Sequence, residues 1–247
     1  MKRIKLVIAY DGTSYSGWQL QPGQPTIEAS LNKALSELLK EEIVVIGASR
    51  TDSGVHALGN VAVFDTESAM KSEKIWAAVN QRLPEDIRVQ SSTEVAPDFH
   101  PRRVTSHKTY AYRILHRKVA LPTERLYASY VYYDLDIVAM QTAAAYLVGE
   151  HDYKSFCSVK TQALDTVRTI YRLEVLKEGD IITISITGNG FLYNMVRIIV
   201  GTLLKIGRGT YPPEKMIEIL NGCDRSLAGP TAPAVGLTLI KIDYPEK

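Results

Sequence analysis

The chain has 247 residues, 45% of them apolar and 23% charged, with a formal net charge of +2. That is the balance of an ordinary globular protein built as one large domain or two small ones. No apolar run reaches the roughly 18 residues of a membrane span, which predicts no membrane association. The start M-K-R-I-K-L-V-I-A-Y-D is basic and then apolar. It alternates and meets Asp11 at once, so it predicts a strand over 4–10 and not a signal peptide. Ile27, Leu31, Ala34, Leu35, Leu38 and Leu39 fall at helical spacing behind a capping Thr26, which predicts a helix over 26–40. Apolar β-branched runs predict strands at 43–47 and 61–65, with a loop between them. Ser72 is placed to cap a helix carrying Ile75, Trp76, Val79 and Leu83, and a strand follows over 87–94.

A second series then begins. Residues 108–116 read as a strand. Asp136 caps a helix carrying Met140, Ala143, Ala144 and Leu147, with Gly149 as its stop. Strands at 168–176 and 180–187 flank E-G-D, a hairpin turn. A long apolar helix is predicted over 191–206, ending at Gly207. Pro212 and Pro213 open a short helix that Gly222 ends, and 237–244 is a closing strand. Hairpins and mixed order predict an α+β fold with a largely antiparallel sheet and helices on one face. The expected division is 1–103 and 104–247, with no low-complexity linker between the halves.

Charge distribution says more than net charge. Residues 99–123 contain no Asp or Glu but carry Arg102, Arg103, Lys108, Arg113, Arg117 and Lys118. Residues 181–213 also lack an acid and carry Arg197, Lys205 and Arg208. One-sign stretches of this kind suit a polyanion. Tyrosine outnumbers phenylalanine 14 to 4. Tyr110, Tyr112, Tyr127, Tyr130, Tyr132 and Tyr133 lie in or just after the first basic block. Cations interleaved with aromatics suit RNA, whose unstacked bases lie on aromatic faces.

Two places stand out chemically. The loop G-A-S-R-T-D-S-G-V-H-A-L-G-N at 47–60 sets one acid, Asp52, beside one base, Arg50, among small residues that permit close backbone approach. An Asp in such a loop is either a turn former or a reacting carboxylate. The second place is Arg197, in a helix apolar on most sides and therefore largely buried. Asn194, Arg197, Gly201 and Lys205 form one stripe of it, expected to face water, a ligand or an opposite charge. A buried guanidinium calls for a carboxylate partner. The histidines His56, His100, His107, His116 and His151 have no zinc spacing. No phosphate loop or nucleophile elbow occurs, and G-R-G and G-N-G are too short for nucleotide fingerprints. The sequence therefore points to chemistry run without a metal or organic cofactor. Cys157 and Cys223 lie far apart and form no C-x-x-C, which predicts free thiols in a reducing cytoplasm.

Several segments together resemble one family. G-A-S-R-T-D-S-G-V-H-A at 47–57 is similar to the active-site loop of the tRNA pseudouridine synthase I (TruA) family. K-T-Y-A-Y-R at 108–113, preceded by F-H-P-R at 99–102, resembles its second motif. N-M-V-R-I-I-V-G at 194–201 resembles its third, and A-P-A-V-G-L at 232–237 its last. Y-D-G-T-S-Y-S-G-W-Q at 10–19 also fits. The matches run in family order over nearly all of the chain. Ser49 and Ser53 stand where a common family variant has Gly and Ala, both small-for-small exchanges.

The resemblance implies the pseudouridine synthase fold, two RRM-like halves whose sheets join, with a central cleft. It implies an isomerase that turns uridine into pseudouridine in tRNA, at positions 38 to 40 of the anticodon stem-loop, acting as a homodimer. Asp52 would be the catalytic carboxylate, attacking C1′ or C6 or taking a sugar proton. Arg197 would pair with Asp52 and favour its ionised form. Tyr110 would stack on the target uracil, with Tyr112 expected on the opposite face of its strand as an ordinary sheet residue. Arg50 would fill the space left by the extruded base, Leu237 would wall the pocket, and Lys108 and Arg102 would bind substrate. Two other classes make different predictions. A non-catalytic RNA-binding module would keep its function in Asp52→Ala. A metal-dependent phosphodiesterase would need a second ligand set near Asp52, which this sequence lacks.

Overall fold

A computed structural model of the protein describes residues 1–159 and 165–245. In chain order its elements are β1 (Lys2–Tyr10), α1 (Ile27–Leu39), β2 (Ile46–Gly47), β3 (His56–Thr66), α2 (Ile75–Val79), β4 (Ile87–Val95) and β5 (His107–His116). There follow β6 (Ser129–Val131), α3 (Ile137–Ala145), β7 (Gly149–Asp152), β8 (Val167–Glu178), β9 (Ile181–Gly188), α4 (Met195–Gly207), α5 (Lys215–Gly222) and β10 (Leu237–Asp243). The chain forms two compact units, Met1–Ser106 with the segment from Thr238 onward, and His107–Leu237. The architecture is α+β. Among the described residues the pairings within the units are antiparallel except β10 with β3 and β6 with β5. Among the described residues no helix is long and apolar enough to cross a membrane.

In the first unit the strands lie in the order β4-β1-β3-β10, with β2 on β3. Ile4, Leu6 and Ile8 alternate along β1 and are wholly buried, as are Ile27, Leu31 and Leu35 along one stripe of α1. Each such side chain contributes about 1.5–3 kcal/mol by leaving water. Thr26 starts α1 as expected. Its hydroxyl accepts the Ala29 N–H at 3.3 Å, and the residue is wholly buried. Thr26→Ala is therefore expected to cost about 1 kcal/mol. Urea unfolding would show a lower midpoint at unchanged slope. A midpoint equal to wild type would mean that the cap does not contribute.

In the second unit the order is β5-β9-β8-β7, with β6 beside β5. Tyr110, Tyr112 and Ile114 face Ile186, Ile184 and Ile182 across the β5–β9 ladder, and all six are buried. The β8–β9 hairpin turns through Gly179 at the expected E-G-D.

Several boundaries differ from expectation. The long helix begins at Met195 rather than at 191, because Asn194 takes a left-handed conformation (φ 61°) and residues before it form a turn. The helix capped by Asp136 ends at Ala145, and Gly149 opens β7 instead of stopping that helix. Strand 43–47 shortens to Ile46–Gly47, while β3 starts at His56, earlier than the apolar run. The helix expected from Ser72 is a 3-10 turn, Ser72–Lys74, followed by the short α2, and Leu83 lies outside it. The short strands β6 and β7 have no counterpart in the sequence reading.

Candidate active site

The Asp52 loop spans the gap from β2 to β3. Along it Ala48, Ser49 and Thr51 are buried, Arg50 is exposed and Asp52 half-buried. Ser49 and Thr51 are the buried anchors of the loop, and Arg50 and Asp52 are its more accessible residues. Beyond Asp52 the chain turns. The Val55 N–H donates to the Asp52 carbonyl at 3.1 Å, and Gly54 holds φ at 76°. That is the positive φ which the third position of a type II turn requires.

A cradle for this loop comes from Y-D-G-T-S-Y-S-G-W-Q. The Trp18 N–H donates to the Thr51 carbonyl at 3.0 Å. The Tyr15 carbonyl accepts the Gly54 N–H at 3.3 Å and the Ser53 hydroxyl at 3.1 Å. The Gly12 N–H donates to His56 Nδ1 at 3.1 Å. Trp18 is 2% exposed, so it acts as a rigid wall. A motif that matched the family at the level of sequence is thus, in the fold, the support of the acidic loop.

Beneath the loop lie two polar residues that the sequence reading did not single out. The Tyr10 hydroxyl hydrogen-bonds the Thr51 hydroxyl at 2.8 Å. Asn60 Nδ2 donates to the Tyr10 oxygen at 3.2 Å and to the Ser49 carbonyl at 3.0 Å. The signal was present: Asn60 is a lone amide in the apolar run V-A-V-F and its flanks. A buried amide requires partners, and partners nearby are what a loop can offer.

In the second unit Tyr110 is 7% exposed, and its ring meets Phe191 edge-on at 5.2 Å and 86°. Tyr112 is not on the opposite face. Residues two apart on a strand share a face, and Tyr112 is wholly buried beside Tyr110. Its hydroxyl donates to the Pro233 carbonyl at 2.8 Å, and burial pushes its pKa up to about 12, so it stays protonated.

Arg197 lies in the first turn of α4. Its Nε donates to the Ala232 carbonyl at 2.8 Å and a terminal nitrogen donates to Asn194 Oδ1 at 3.0 Å. The stripe of Asn194, Arg197, Gly201 and Lys205 was expected to face water, a ligand or a charge. Part of it is instead covered by the segment around Gly229–Ala232: the Gly229 N–H donates to Thr202 Oγ1 at 2.9 Å, and the Ala232 N–H to the Arg197 carbonyl at 3.0 Å.

Lys108 is half-buried at the start of β5, opposite Gly188. Leu237 is 5% exposed at the start of β10. Arg102 is exposed in the turn after His100, and its N–H donates to His100 Nδ1 at 3.2 Å. Burial, and then the Arg103 and Arg102 guanidiniums, hold the His100 imidazole below its usual range. The acid-free block is not wholly uncompensated: Arg113 pairs with Glu124 at 3.1 Å and Arg117 with Asp180 at 3.4 Å. Its tyrosines divide, with Tyr110 and Tyr112 in the core and Tyr127, Tyr130 and Tyr132 exposed.

The chain matches a family model described as tRNA pseudouridine synthase over residues 6–102 and 143–245. It is 49% identical over 244 residues to "tRNA pseudouridine synthase A" of Brevibacillus brevis, covering 99% of this chain and 100% of that one. It is 46% identical, at the same coverage, to "tRNA pseudouridine synthase A 2" of Clostridium perfringens and to "tRNA pseudouridine synthase A" of a Thermoanaerobacter species.

Proposed function

The chain belongs to the tRNA pseudouridine synthase family and is an isomerase of uridine in tRNA; from that premise we propose that it acts at positions 38 to 40 of the anticodon stem-loop, with Asp52 as the reacting carboxylate. The observation that carries the assignment of Asp52 is the construction of its loop. Both neighbours of Arg50 are buried anchors, while Arg50 is exposed and Asp52 only half-buried.

The reaction is an isomerisation. The N1–C1′ glycosidic bond breaks, the uracil turns over, C5 bonds to C1′, the C5 proton leaves to solvent, and N1 takes up one proton in its place. Atoms and charge balance without an oxidant or an energy source. An ionised carboxylate serves whether it adds to C1′, adds to C6, or takes a proton from the sugar. Arg197 is assigned as its cationic partner. Its guanidinium already has an orientation, set by the Ala232 carbonyl and the Asn194 amide. A cation so held favours the carboxylate over the acid.

A base within a stem is reached only by extrusion, at a cost of a few kcal/mol. Exposed Arg50 is suited to fill the vacated stack. Tyr110 is assigned to stack on the uracil, Leu237 to wall its pocket, and Lys108 and Arg102 to hold phosphates. The working form is a homodimer in the cytoplasm, a setting that suits the free thiols Cys157 and Cys223.

The test is tritium release from tRNA transcripts labelled at uridine C5, comparing transcripts in which one of positions 38, 39 and 40 carries uridine. Release that depends on those positions is the expected result. Release from transcripts lacking uridine at all three would overturn the assignment of the site.

A further inference from the structure

We propose that Tyr10 and Asn60 are positioning residues for the reaction, holding the two loop residues on either side of Arg50 so that Arg50 and Asp52 stand in a fixed place. The proposal rests on the assignment of Asp52 made above. Three observations carry it.

The first is burial. Asn60 is 0% exposed, Tyr10 4%, Thr51 7% and Ser49 8%. A polar group out of water costs free energy unless it is hydrogen-bonded, so a group kept there has a use for its bonds.

The second is where the bonds go. Asn60 Nδ2 spends its two N–H groups on the Ser49 carbonyl and the Tyr10 oxygen. Its Oδ1 accepts the Val61 N–H at 2.9 Å, and the Val61 carbonyl accepts the Ala48 N–H at 2.7 Å. Tyr10 passes the connection on to the Thr51 hydroxyl. Ala48, Ser49 and Thr51 are thereby each tied to β3 or β1. Residues 50 and 52, which are the more accessible ones, take their place from the restraint on 49 and 51.

The third is the backbone. The β1–β3 ladder pairs Ile8 with Asn60 but Tyr10 with Ala57, a slip of one residue. Such a bulge re-aims a side chain, and bulges gather beside active sites. Here it lies where Tyr10 meets the loop.

Catalytic groups must sit within a fraction of an ångström of their productive place, and a misplacement of about 1 Å can cost roughly 100-fold in rate. Removing one hydroxyl from this network is expected to act on turnover rather than on affinity. Tyr10→Phe and Thr51→Val should each lower kcat about tenfold, with the tRNA Kd within about twofold of wild type. Because both remove the same bond, the double variant should be no slower than the slower single one. Thr51→Ser, which keeps the hydroxyl, should retain the wild-type kcat. In the free protein, amide exchange at residues 48–53 should accelerate in Tyr10→Phe and Thr51→Val while the strands keep their protection.

Should Tyr10→Phe fail to fold, the comparison of Thr51→Val with Thr51→Ser decides the matter. Additive losses, an equal loss in Thr51→Ser and Thr51→Val, or unchanged loop exchange would each overturn the proposal. Exchange is read without substrate. A wild-type protein inactive on every tRNA would therefore sink the functional assignment, while loop exchange would still decide whether the network restrains the loop.

Discussion

Asp52→Ala is expected to reduce pseudouridine formation by on the order of 10⁴-fold or more, with tRNA affinity kept within a few-fold. The size follows from the role. A group that forms a bond or moves a proton in the reaction has no substitute, whereas phosphate contacts supply most of the binding of a nucleic acid. The turn after Asp52 should persist in the variant, since its hydrogen bond uses the backbone carbonyl of residue 52, which alanine retains. Asp52→Asn sharpens the test by keeping shape and removing charge. Single-turnover tritium release and filter binding on the same preparation would separate the two effects. Activity above about one-hundredth of wild type in both variants would be incompatible with a reacting carboxylate at this position.

Gly201→Ala is expected to destabilise the second unit by about 3 kcal/mol and to impair turnover as well. In an exposed helix the same exchange would stabilise by nearly 1 kcal/mol, because alanine is the better helix former. Here a Cβ on residue 201 would lie 1.7 Å from the Pro230 carbonyl oxygen. Backbone would meet backbone, and the segment around Pro230 would have to lift from α4. That segment supplies the Ala232 carbonyl that accepts from Arg197 Nε. Stability and the orientation of Arg197 should therefore be lost together. A fall in Tm of roughly 6–12 °C is expected for a chain of this size. Thermal unfolding and kcat measured well below Tm would check both parts. A rise in Tm would mean that Pro230 does not approach the helix as described.

Local pattern made much of the architecture legible. The alternation of Ile4, Leu6 and Ile8 and the helical spacing of Ile27, Leu31 and Leu35 correspond to buried faces, because a period is a local property of the chain. The E-G-D turn and the Thr26 and Asp136 caps were legible for the same reason: each depends on residues within a few positions. The failures are instructive. Tyr112 shares the buried face of Tyr110, two residues along the same strand, and not the opposite face expected for it. The apolar residues of 191–194 continue the pattern of α4 and so predict helix, yet the helix starts at Met195. Asn194 takes a left-handed conformation there, and hydrophobicity does not encode that choice. The three-residue β6 and four-residue β7 are too short for a period to register.

What the sequence determined by itself was the family and the order of its motifs, since residue identity at Asp52, Tyr110 and Arg197 needs no coordinates to be compared. It also determined the main helices and strands, whose periods are set by nearest neighbours along the chain. Tertiary structure alone decided which residues support the acidic loop. Tyr10 and Thr51 are 41 positions apart, and Asn60 and Tyr10 are 50 apart. It likewise decided that Pro230 rides on Gly201, that Ala232 holds Arg197, and that β10 returns to pair in parallel with β3. Hydrogen bonds between such distant positions leave no periodic trace in a single chain. They exist only once burial has brought the groups together out of water.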